Sequence, residues 1–131
     1  MSNKLDKILA EISAGELFDK ITILEIKKEK ISNNEKLVDV EKELGSLKDT
    51  VAKFIPNQSN ISKHVNNLKE INLKLWDIED GKRAAEKEKK FDDKFIELAR
   101  NVYKLNDERA KIKLVINTAL GSNIKEVKSY E

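Results

Sequence analysis

Cysteine is absent, proline occurs once (Pro56), and glycine occurs only at Gly15, Gly45, Gly81 and Gly121. Without cysteine there is no disulfide, no thiolate nucleophile and no Cys-based zinc site. His64 is the only histidine, so a transition-metal site lacks its usual ligands, and no metal or cofactor is expected. No stretch of 18 apolar residues is present, so no membrane-spanning helix is expected. The N-terminal MSNKLDKILAEIS has too short an apolar region, and no small-residue cleavage site, to read as a signal peptide. These absences together lead to the expectation of a cytoplasmic protein. The scarcity of Pro and Gly suits long helices joined by short connections.

What is present is charge, in near balance. Charged residues make up 38% of the chain, but 26 basic residues face 24 acidic ones. A dedicated nucleic-acid binder concentrates positive charge on one surface. The one candidate stripe, Lys82, Arg83, Lys87, Lys89 and Lys90, is diluted by Glu86 and Glu88, and a solvated helix face accounts for it. Only Arg83, Arg100 and Arg109 are arginines, so the arginines are more informative than the many lysines.

Hydrophobic spacing predicts an all-α, four-helix bundle, a single domain over residues 1–131. Short, extended segments flank it at either end. The expected helices cover about 14–31, 35–54, 61–90 and 92–120. Ser13 and Glu16 in "SAGE" form a capping box ahead of the first helix, and Gly121 is a suitable terminator for the last. Residues 7–12 read as extended or as one helical turn, with extended preferred because a helix starts afresh at Ser13. The first helix carries Leu17, Ile21, Leu24 and Ile31 on one stripe and Phe18, Ile23 and Ile26 elsewhere. Apolar residues on several sides predict a central helix. Leu37, Val40, Leu44, Leu47, Val51 and Phe54 then follow spacings of three and four throughout. This is the seam of a coiled coil or of a helix pair. Its partner is a helix of the same chain or the same helix of a second copy, and the second choice makes the protein a homodimer. Gly45 either weakens this helix or permits close approach, and Pro56 ends it. In the third helix Ile61, Val65, Leu68, Ile71, Leu75 and Ile78 point inward, with "EDGK", residues 79–82, as the place for a break or a kink, beyond which Lys82–Phe91 continue the helix.

The fourth helix breaks the apolar rule on its inner side. Asn106, Lys113 and Asn117 share a narrow arc with Phe95, Ala99 and Val102, flanked by Arg109. In the third helix Asn72, Glu79 and Arg83 lie on the arc of Ile61, Val65 and Trp76, and in the first Asp19 lies between Ile23 and Ile26. Buried charges are tolerated only when paired. Two readings follow. Asp19, Glu79 and Glu25 face Arg83, Arg109 and Lys113 in a register-setting network. Alternatively, Arg83, Arg109 and Lys113 bind an anionic phosphate- or carboxylate-bearing molecule in a bundle pocket, oriented by Asn106 and Asn117, with Glu79 or Asp19 as base or counter-charge. The i,i+3 pairs Glu16/Asp19 and Asp77/Asp80 would suit magnesium, but helix-end placement explains them as well. Neither a nucleophilic triad nor a stacking platform around Trp76 has support in the sequence.

The blocks "SAGELFDKITILEIKKEKI", "LWDIED" and "ARNVYKLNDERAKIKLVIN", then "LGS" and "EVKSY", together resemble a family of small bacterial and phage-type proteins classed only as a domain of unknown function. They cover the first helix, the end of the third and all of the fourth. This chain has Ala14 where the family has Pro in "SPGEL", and Gly81-Lys82 where it has "IR". The resemblance implies no activity. It does place the specific work on the polar-faced helices rather than on the heptad helix. The leading expectation is a self-associating helical interaction or binding module. A small enzyme or ligand-binding protein acting on an anion is the alternative.

Overall fold

The computed structural model describes residues 4–129, so Tyr130 of the "EVKSY" block lies outside them. Four helices follow one another: α1 (Ala14–Lys30), α2 (Asn34–Phe54), α3 (Ser62–Glu88) and α4 (Asp93–Leu120). The described residues contain no strand. Residues 4–12 are neither helix nor strand. Among the described residues, no helix is long and apolar enough to cross a membrane.

Local chemistry sets the boundaries. Ser13, Asn33 and Asp92 each accept a hydrogen bond from the backbone three residues on, at the starts of α1, α2 and α4. Such caps satisfy N–H groups that have no partner within the helix. Only half of the expected capping box forms: Glu16 N–H donates to Ser13 Oγ, but the Glu16 carboxylate turns to Lys113 instead. Pro56 stands two residues beyond the end of α2, where it bars further helix. α4 closes at Gly121, whose φ of +62° is the left-handed conformation that glycine adopts without steric cost.

α1 is the hub, packing on α2, α3 and α4; α2 touches no helix but α1, while α3 and α4 pair with each other. Leu17, Phe18, Ile21 and Leu24 of α1 form the core with Val40, Leu44 and Val51 of α2, Ile61 and Leu68, and Ile116 of α4. The seam of α2 therefore has its partner within the chain. Val40, Leu44 and Val51 are buried, Leu37 and Leu47 are half-buried, and Phe54 is exposed. Little of that seam remains for a second copy, and nothing lies within 4 Å of a Cβ placed at Gly45, so that glycine serves no close approach.

No break occurs at residues 79–82: α3 runs through Gly81 to Glu88. A Cβ at Gly81 would stand 3.2 Å from Leu98 Cδ1 of α4. Glycine here lets two helices approach, and this packing offsets the roughly 1 kcal/mol that glycine costs a helix interior.

Candidate functional site

Two features organise the inner faces of α1, α3 and α4: a polar network and a cleft beside it. The network is centred on Asp19, which is 1% exposed. Asp19 Oδ1 accepts from Arg109 Nε at 2.9 Å and from Asn72 Nδ2 at 2.9 Å. Arg109 Nη2 donates to Oδ2, completing a two-pronged contact of the kind that gives arginine–carboxylate pairs their geometric specificity. Asn72 Nδ2 also donates to Thr22 Oγ1, and Thr22 donates to the Asp19 carbonyl at 2.8 Å. Arg109 Nη1 reaches Asn106 Oδ1 at 3.3 Å. The hydrogen bond to Asp19 raises the Arg109 pKa above its usual value, against the opposing effect of burial, and the charges of Asp19 and Glu16 add to the rise.

One turn towards the start of α1, the second half of the network closes the helix end. Lys113 Nζ donates to Glu16 Oε2 at 2.5 Å. Gly15 N–H donates to Asn117 Oδ1 at 2.6 Å, and Ala14 N–H donates to Ser122 Oγ at 3.1 Å. With Glu16 N–H on Ser13, the first three backbone donors of α1 are all taken by side chains, two of them from α4 and the segment after it. Ser13 Oγ donates to Glu126 Oε1, and Asn117 Nδ2 donates to Glu126 Oε2 at 3.3 Å. α1 and α4 are thus antiparallel, Glu16 meeting Lys113 and Asp19 meeting Arg109. Among the described residues no buried side-chain nitrogen or oxygen lacks a partner.

This arrangement explains why Asn106, Lys113 and Asn117 interrupt an apolar face: Lys113 and Asn117 fasten α4 to the first turn of α1, and Asn106 braces Arg109, which reaches Asp19 one turn further on. It also divides the group expected to hold an anion. Lys113 is committed to Glu16 and Arg109 to Asp19, while Asn117 caps α1. Glu25 pairs with Lys69 at 3.8 Å rather than with any arginine, and Glu79 lies 3.4 Å from Lys82. Arg83 is exposed and makes no ion pair or hydrogen bond among the described residues. Arg83, Arg109 and Lys113 therefore do not converge. No group of three His, Cys, Asp or Glu side chains among the described residues is arranged to hold a metal ion.

The cleft has a volume of about 240 Å³. Ile23 and Ile26 of α1 and Leu75 and Trp76 of α3 make its apolar surface, with Asn72 and Arg109 beside it and Glu79, Asp80 and Arg83 along one side. Of the expected anion-binding cations it contains Arg83 and Arg109. Sequence reasoning left Ser13, Thr22, Ser122 and Glu126 out of the network. The cap at Ser13 is the one visible sign of that helix end in the sequence.

Glu126 gives the network a pH dependence. Burial alone raises its carboxyl pKa, but the hydrogen bond from Ser13, a backbone hydrogen bond, the Lys113 charge and Asn117 outweigh this and hold it low. A carboxylate whose pKa is lower folded than unfolded stabilises the fold above the unfolded value, about 4.3 for Glu, and the contribution disappears as pH falls through the folded value. The stability gap between wild type and Glu126→Gln is expected to be open at pH 7 and to narrow as pH falls below the unfolded value, about 4.3. Urea titrations at stepped pH measure it; a gap that does not change with pH excludes Glu126 as the titrating group.

No curated protein and no solved structure matches the chain. A family model described as "Family of unknown function (DUF6165)" matches residues 8–131. That match takes in all four helices and the network that joins the first to the last, and the chain belongs to this family.

Proposed function

We propose that this protein is a cytoplasmic helical interaction module that associates with a second copy of itself. The polar stripe is satisfied internally and α2 is packed on α1, so the surfaces left for a partner lie elsewhere. The observation that carries the reading is the segment before α1. Leu5, Ile8 and Leu9 are 83%, 80% and 87% exposed, yet with Ile12 they keep the i, i+3, i+4, i+7 spacing of one helix face. A segment this short does not hold a helix alone in water, so it orders by docking.

A complementary surface exists on the same chain. Ile96, Tyr103 and Leu114 are exposed on α4, and with Ala110 they fall on one line along the helix, about 27 Å long. If each copy lays its N-terminal segment on the α4 stripe of the other, both surfaces are covered twice by one two-fold operation, and the assembly closes. Sedimentation equilibrium tests this. Wild type is expected at twice its 15.0 kDa chain mass, and Leu9→Glu and Tyr103→Glu each at one chain mass with the helical circular dichroism retained and the melting temperature lowered only by the loss of association. A wild type that sediments as one chain overturns the reading, even if its N-terminal segment folds back on its own α4.

A further inference from the structure

We propose that the cleft between α1 and α3 binds a free amino acid with an apolar side chain. Its volume, about 240 Å³, equals that of roughly eight water molecules. This lies below the range of pockets that hold drug-sized molecules and suits a small metabolite. Ile23, Leu75 and Trp76, each half-buried, supply a surface for an apolar group.

The charges decide what else the ligand carries. Around the cleft, Arg109 is paired with Asp19 and Glu79 with Lys82. Asp80 and Arg83 also line it, and neither makes a hydrogen bond or ion pair among the described residues. They stand three residues apart on α3, neighbours on the helix surface, but do not pair with each other. A simple carboxylate that satisfied Arg83 would bring its charge towards Asp80, and a simple amine would meet the reverse conflict with Arg83. A molecule bearing an ammonium and a carboxylate on one carbon atom matches both residues while its side chain covers the apolar surface. Arg109 assists: of its five N–H donors, three are engaged with Asp19 and Asn106, and its side chain is 29% exposed.

Trp76 is the only tryptophan in the chain, so its fluorescence reports on this cleft alone. The experiment titrates L-leucine, 4-methylpentanoate and isoamylamine into the protein, reading Trp76 emission with calorimetry in parallel. Leucine is expected to bind about ten- to a hundredfold more tightly than either analogue, the factor for a lost hydrogen bond to a charged group. Arg83→Gln is expected to weaken leucine by a similar factor, and Asp80→Asn to remove the preference for leucine over 4-methylpentanoate. Both side chains are exposed and unpartnered, so melting temperatures stay at the wild-type value and report intact folding. Equal binding of leucine and 4-methylpentanoate by the wild type overturns the zwitterion assignment. Absence of both a Trp76 change and heat with all three probes overturns the site.

Discussion

Asp19→Ala is expected to cost about 3–5 kcal/mol of stability, the range for removing one member of a buried ion pair. The reason lies less in the attraction lost than in what is left behind. Asp19 is 1% exposed and receives Arg109 Nε, Arg109 Nη2 and Asn72 Nδ2. Its removal strands a guanidinium and an amide against an apolar core. Partial exposure of Arg109 lets the guanidinium turn towards water, which places the expected cost near 3 kcal/mol, a fall in Tm of about 10 °C. Replacing both charged partners separates the two contributions. Asp19→Leu with Arg109→Met leaves no orphaned charge and is expected to recover much of the loss. Thermal unfolding of the single and double variants measures this. A double variant no more stable than Asp19→Ala would show that the pair itself, and not the uncompensated charge, holds the helices together.

The second large effect concerns a single methyl group. Gly15→Ala is expected to destabilise the protein by about 1–3 kcal/mol, the cost of overpacking, although alanine is the better helix former. The added Cβ would stand 2.5 Å from the Lys113 backbone carbonyl oxygen and 3.0 Å from Asn117 Oδ1. The carbonyl is helix backbone and cannot swing aside, so α1 and α4 must separate. The separation also lengthens the Gly15–Asn117 and Glu16–Lys113 contacts, which are 2.6 Å and 2.5 Å. Gly45→Ala is the internal control. It lies in the middle of α2 with nothing within 4 Å of the new atom, and is expected to gain up to about 1 kcal/mol. Denaturant midpoints of the two variants should therefore move in opposite directions. If Gly15→Ala stabilises as Gly45→Ala does, the close approach of α1 to α4 is wrong.

These two glycines show where the sequence was informative and where it was not. Both sit in helices and look alike as letters; only the neighbouring helix tells them apart. The helices themselves were readable because burial of one face imposes spacings of three and four, as at Leu44, Leu47 and Val51. The central position of α1 was readable because Phe18 and Ile26 lie off the Leu17–Ile21–Leu24 stripe. Family membership is readable from the blocks Ser13–Ile31, Leu75–Asp80 and Ala99–Asn117. Pairing was harder, because a carboxylate does not advertise its cation. The spacing sets Asp19, Glu79 and Glu25 as a group against Arg83, Arg109 and Lys113 without saying which meets which; in the fold Asp19 meets Arg109, Lys113 takes Glu16, and Glu25 goes to Lys69. The antiparallel order of α1 and α4 fixes which acid meets which base, and that order appears only once the chain has folded back. Glu126 had no periodicity to announce it, since the segment after α4 has no regular spacing.

The closure of α1 by distant residues has a consequence for how the protein is made. The residue that accepts the Gly15 N–H lies 102 positions later, and Ser122 lies 108 positions after Ala14. At the usual pace of translation, Asn117 emerges roughly 5–20 s after Gly15. During that interval α1 has its buried faces uncovered and its leading amides without their distant partners. Contacts of such long sequence separation slow folding, so the nascent chain spends its early life as an incomplete α1–α2 unit. α4, made after the other three helices, is the one that finishes α1.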